Sequence, residues 1–84
     1  MPTLEEFIER VRVKFGIQQK HTPALAESPD GPVRFYYLQR ADRTQFVVIP
    51  NMRYDARLER KTVVNWCDIF GIPLDEFGLT DADR

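Results

Sequence analysis

Two runs rich in β-branched and aromatic residues, Val33–Arg40 and Gln45–Pro50, are separated only by Ala41-Asp42-Arg43-Thr44. Such side chains suit a pleated, half-buried surface and the polar segment suits a turn. The pattern therefore predicts an antiparallel hairpin over 33–50. Strand side chains alternate between faces. Val33, Phe35 and Tyr37 then share one face, and Arg34, Tyr36, Leu38 and Arg40 the other. The first set is the more apolar and is expected to turn inward with Phe46 and Val48. The outer face would carry Val47 and Ile49, so the second run is apolar on both sides. Pro50 has no N–H for a ladder and should close the strand.

A helical pattern lies on each side of the hairpin. Leu4, Phe7, Ile8, Val11 and Phe15 form one stripe at helical spacing. Thr3 and Glu6 have the spacing of a capping box, which predicts a helix start at Thr3. Gly16-Ile17 reads as its left-handed stop. Val63, Trp66, Cys67 and Phe70 repeat the stripe in a last helix beginning between Leu58 and Thr62, and Gly71-Ile72-Pro73 ends it.

Ile17–Thr22 reads as a short edge strand. Three prolines and a glycine in Pro23–Pro32 predict a surface loop without regular structure. Asn51–Leu58 reads as an irregular connection, Leu74–Phe77 as one helical turn, and residues 80–84 as a frayed tail. The expectation is one α+β domain over 1–84, with a helix at 3–16, the hairpin at 33–50 and a helix at 59–71. Its two helices stack on one face of a small antiparallel sheet in the order α-β-β-β-α. Phe7, Phe15, Phe35, Phe46, Trp66 and Phe70 would share the core.

Charge is unevenly spread, although the net is −1. Residues 31–61 hold seven bases against three acids, a net of +4, and residues 62–84 hold one base against five acids, a net of −4. The small net charge argues against strong nonspecific nucleic-acid binding. No apolar run approaches the ~18 residues of a membrane span. The acidic start lacks a signal-peptide layout, so a cytoplasmic location is the expectation.

Catalytic signatures are scarce. His21 is the single histidine, and no acid lies near it in sequence to orient it as a general base. Cys67 is the single cysteine and falls on the apolar stripe, which suits a small core residue. One His and one Cys make no metal-ligand cluster, and the four glycines are isolated, so neither a metal nor a cofactor is expected. The interleaved Arg34-Phe35-Tyr36-Tyr37 is the best binding feature, because aromatics on a sheet stack bases while arginines hold phosphates. The same residues also serve as cross-strand packing.

Three stretches carry a resemblance to a known family. They are Lys14-Phe15-Gly16-Ile17 at the first helix end, Val47-Val48-Ile49-Pro50 at the strand end, and Leu58-x-x-x-Thr62-Val63-Val64 running to Gly71-Ile72. Together, over most of residues 4–77, they resemble the HicA toxin family. The resemblance implies a small α-β-β-β-α fold similar to double-stranded-RNA-binding domains, messenger-RNA cleavage, and an antitoxin partner. The family's Gly-Ser-His motif falls near Gly31-Pro32-Val33, where the glycine is present and the histidine is not. His21 lies upstream of the motif, so no catalytic residue carries over.

The leading expectation is thus a non-catalytic module that contacts a protein partner, or itself, through the hairpin's outer face (Arg34, Tyr36, Leu38, Arg40, Val47, Ile49). The alternatives are an RNA-binding domain using Arg34, Tyr36, Arg40 and Arg43, bordered by Arg53, Arg57, Arg60 and Lys61, and a HicA-like interferase relying on His21.

Overall fold

The computed structural model describes residues 1–84, with two helices and five short strands in an α+β arrangement. Helix α1 spans Leu4–Phe15 and its N-cap is Thr3. A helix leaves its first N–H groups without internal partners, and three of them find one here. Leu4 N–H donates to the Ala56 carbonyl (3.0 Å) and Glu5 N–H to the Tyr54 carbonyl (3.0 Å). Glu6 N–H donates to Thr3 Oγ1 (3.1 Å). The irregular stretch after the hairpin is therefore a clamp on the start of α1. The expected capping box is half made, since the Glu6 carboxylate accepts from the Thr3 hydroxyl, at 3.1 Å, instead of from its backbone N–H.

Gly16 ends α1 at φ 64°, a conformation glycine adopts without Cβ strain. The chain then enters β1 (Ile17–His21), which pairs antiparallel with β4 (Tyr36–Arg40), with Ile17 opposite Arg40 and His21 opposite Tyr36. Pairing continues past the strand ends, as Thr22 N–H donates to the Phe35 carbonyl at 2.9 Å. Beyond it, β2 (Ala26–Ser28) and β3 (Gly31–Val33) pair with Ala26 opposite Val33. Pro23 and Ala24 thus have only Arg34 opposite them, while Leu25 N–H donates to the Val33 carbonyl at 2.9 Å. This extra length makes a bulge, which bends the ribbon.

The proline-rich segment expected to lack regular structure is, accordingly, the far end of one long bent hairpin. Its prolines fit there. Pro23 lies in the bulge, Pro29 in the turn, and Pro32 in a ribbon whose strands each keep a free edge. The turn is tied by Ser28 Oγ, which donates to the Gly31 carbonyl (2.8 Å) and accepts from Asp30 N–H (3.3 Å). This arm lengthens the molecule to 44 × 28 × 20 Å, with a radius of gyration of 13.8 Å. A compact domain of this length has about 12 Å.

Strand β5 (Phe46–Val48) pairs with the other side of β4, with Leu38 opposite Val47, giving the sheet order β1-β4-β5. Helix α2 (Arg60–Phe70) follows and stops at Gly71 with φ 69°. Ile17, Leu38 and Val47 point to one face of the sheet, and both helices cover that face with Leu4, Phe7, Val11, Val63, Trp66, Cys67 and Phe70. The Phe7 ring meets Trp66 edge-on at 5.2 Å and stacks on Phe77 at 4.9 Å.

Two expectations are corrected here. Phe7, Trp66 and Phe70 are core and Phe15 packs against it, but Phe35 and Phe46 lie on the far side of the sheet in solvent. The tail at 80–84 is not frayed. Thr80 caps a 3-10 turn at Asp81–Asp83 reciprocally with Asp83, and the Arg84 guanidinium bonds Asp68 and Asp81. Those hydrogen bonds, to Asp68 above all and then to Asp81, hold the Arg84 guanidinium more firmly protonated than usual. The signal was present in Thr80-x-x-Asp83, the spacing of a cap.

Candidate binding surface

Strand parity decides which side chains reach solvent. Leu38 and Val47 were expected on the outer, binding face, yet they are 0% and 6% exposed. Ile49 packs against the same core. The face expected inside carries Phe35, Phe46 and Val48, which are 54%, 56% and 49% exposed. The two faces are exchanged relative to the expectation. The helices already supply the large rings, Phe7, Trp66 and Phe70, so the sheet face beneath them needs aliphatics. Close packing then favours Ile17, Leu38 and Val47 over a second aromatic layer.

The solvent face is continuous. Lys20 lies opposite Tyr37, which lies opposite Val48; Gln18 lies opposite Gln39, which lies opposite Phe46. Tyr37 and Phe46 touch edge-on with ring centroids 5.7 Å apart. Lys20 Nζ donates to Gln39 Oε1 at 3.3 Å. Thr22 Oγ1 accepts from Phe35 N–H at 3.0 Å. A shallow depression of about 440 Å³ lies among Thr22, Phe35, Tyr37, Gln39, Phe46 and Val48, with Thr44 at its rim and no carboxylate in its lining. Sequence reasoning singled out Arg34-Phe35-Tyr36-Tyr37 and rightly placed Tyr36 in solvent, but turned Phe35 inward.

The expected basic contacts divide. Arg40 is half-buried and donates from Nη1 to the Phe70 carbonyl at 2.9 Å, so it caps α2. Arg57 donates to the Met1 carbonyl at 2.7 Å. Arg53 bonds Asp55 at 3.0 Å, and Arg60 lies 3.6 Å from Asp83. Arg34, Arg43 and Lys61 take part in no ion pair. Lys61 borders a second groove with Val48, Pro50, Thr62, Asn65 and Trp66, which meets the aromatic face only at Val48.

One cluster was invisible in the sequence. Arg34 Nη1 lies 3.2 Å from His21 Nδ1, and the His21 and Tyr36 rings are 5.9 Å apart. His21 Nδ1 is also 3.0 Å from the Thr22 carbonyl. The carbonyl requires a proton on Nδ1 and the guanidinium requires a lone pair there, so one tautomer satisfies one contact. With Nδ1–H on Thr22, Nε2 keeps its lone pair. Arg34 and Tyr36 line a cleft of about 900 Å³ between the arm and the segment Val48–Tyr54.

Cys67 is fully buried, and burial pushes its thiol up to about 11, with the Asp68 carboxylate adding to the shift and Arg84 opposing it. It is a core group and not a nucleophile. No group of three or more His, Cys, Asp or Glu side chains is placed to hold a metal ion. No helix is long and apolar enough to cross a membrane. No protein-family model, no curated protein and no solved structure matches this chain.

Proposed function

We propose that this chain is a non-catalytic binding module that contacts a protein through the solvent face of its three-stranded sheet. The observation that carries the reading is the exposure of Phe35, Phe46 and Val48 side by side, with Tyr37 between them. Apolar side chains scattered singly need no explanation, whereas a contiguous patch framed by polar residues is characteristic of an interaction site. Aromatic side chains, phenylalanine included, are enriched at interfaces relative to the rest of the surface. The proposed compartment is the cytoplasm, where a lone reduced thiol such as Cys67 is ordinary.

The test is association with and without the patch. In the Phe35→Ser, Phe46→Ser double variant, far-UV circular dichroism should be unchanged. Binding to whatever protein the wild type holds, a second copy included, should weaken by at least tenfold. Equal binding by both proteins overturns the reading.

A second reading, a HicA-like ribonuclease relying on His21, is favoured by the His21–Arg34–Tyr36 cluster beside the cleft. In it, His21 Nε2 takes the proton of a ribose 2′-hydroxyl. The 2′-oxygen bonds to phosphorus as the P–O5′ bond breaks. Arg34 holds the phosphoryl oxygens, and the Tyr36 hydroxyl returns a proton to the 5′-oxygen. RNA degradation lost in His21→Ala supports it, and equal degradation by both proteins removes it. RNA held without cleavage would instead bind with an affinity that falls steeply with salt.

A further inference from the structure

We infer that the occupant of the aromatic face is the arm of a second copy of this chain, in a reciprocal dimer. This inference rests on the binding role proposed for that face and names its partner. Three features of the molecule converge on it.

First, the arm at 25–34 is short of support. It is a two-stranded ribbon whose residues contribute nothing to the buried core, and a ribbon of two strands is marginal in water by itself. It nevertheless exposes Leu25 and Val33. A segment of this kind gains order when its apolar side chains are covered from outside.

Second, charges on arm and face are opposite and unspent. Glu27 and Asp30 on the arm join no ion pair, and neither do Lys20 on the face nor Arg43 in the loop that leads into β5. No carboxylate lines the depression between Phe35 and Phe46. From Leu25 to Val33 the arm carries these two acids and no base, with Arg34 at its root beside His21, and Lys20 lies on the aromatic face; opposite charges set register and suppress wrong partners.

Third, the area is of the right order. Leu25, Val33, Phe35, Phe46 and Val48 are each about half exposed, and together leave roughly 350 Å² of apolar surface per copy, given ~150–250 Å² for a whole aromatic side chain and ~60–120 Å² for an aliphatic one. A standard interface takes ~800 Å² from each partner, of which a little over half is apolar. A two-fold axis brings each arm to the other's face, so every contact occurs twice.

Charge reversal in pairs tests the arrangement by sedimentation velocity from about 1 to 500 μM. One variant reverses the arm (Glu27→Lys, Asp30→Lys), and another reverses the face (Lys20→Glu, Arg43→Glu). The wild type should dimerise. Each variant alone should dimerise at least tenfold more weakly, because like charges then meet at both contacts. A 1:1 mixture of the two should recover the dimer, since each arm again meets a face of opposite sign. A wild type that stays monomeric throughout overturns the inference, as does a dimer indifferent to the arm reversal. If such a monomer instead holds another protein, or RNA, the arm contact falls. Loss of that protein in Phe35→Ser, Phe46→Ser keeps the binding role of the face, and association indifferent to both sets of variants discards both.

Discussion

Arg40 donates from Nη1 to the carbonyl oxygen of Phe70 at 2.9 Å, so the central strand of the sheet holds the last turn of α2. That turn has no basic residue of its own. A cation there satisfies an unpaired carbonyl and complements the negative end of the helix dipole. Arg40→Met keeps the stem and removes the donor. It should lower stability by about 1–2 kcal/mol in urea unfolding, with an unchanged slope. Association should not change, because Arg40 does not reach the aromatic face.

Truncation should separate the two faces of the sheet. Leu38→Ala empties a site with no exposure beneath both helices, and should cost about 2–5 kcal/mol. Phe46→Ser on the solvent face gives up its edge-on contact with Tyr37 and should cost less, about 1 kcal/mol. Equal losses at the two positions would mean that both faces are packed.

Thr3→Ala removes the oxygen that accepts from Glu6 N–H. The loss of this cap should cost about 1 kcal/mol. The effect should be confined to the start of α1, because Ala56 and Tyr54 still accept from the next amides. Hydrogen exchange should quicken at Glu6 more than at Leu4 or Glu5.

The buried Cys67 thiol should resist thiol reagents until the protein unfolds. Its proton affinity is higher folded, at about 11, than the ordinary 9.0. The stabilisation is thus fully present below pH 9 and is lost as pH rises to about 11, because the unfolded chain gives up its proton first. The loss, on the order of 2 kcal/mol, should vanish in Cys67→Ala, measured as the difference in urea midpoint between pH 8 and pH 11.

The local elements were legible in the sequence because local physics sets them. The stripes Leu4-Phe7-Val11 and Val63-Trp66-Cys67-Phe70, the cap at Thr3 and the glycine stops at Gly16 and Gly71 each depend on residues a few positions apart. So did the α+β class, which follows from two such helices flanking β-prone runs. The faces of the sheet were not legible. Val47 and Val48 are equally apolar, and a strand's alternation says only that they point opposite ways. What chose between them was the volume the helices had left to fill, a quantity that exists only when Phe7, Trp66 and Phe70 are already together. The same holds for Arg40, drawn from an apparent surface stripe to the end of α2. It holds too for Arg34 and His21, thirteen residues apart and brought to 3.2 Å by a hairpin that sets His21 opposite Tyr36. The chain's own order determined its helices, its turns and where its hairpin lies. Only packing between distant segments decided that the aromatic side of that hairpin meets the solvent.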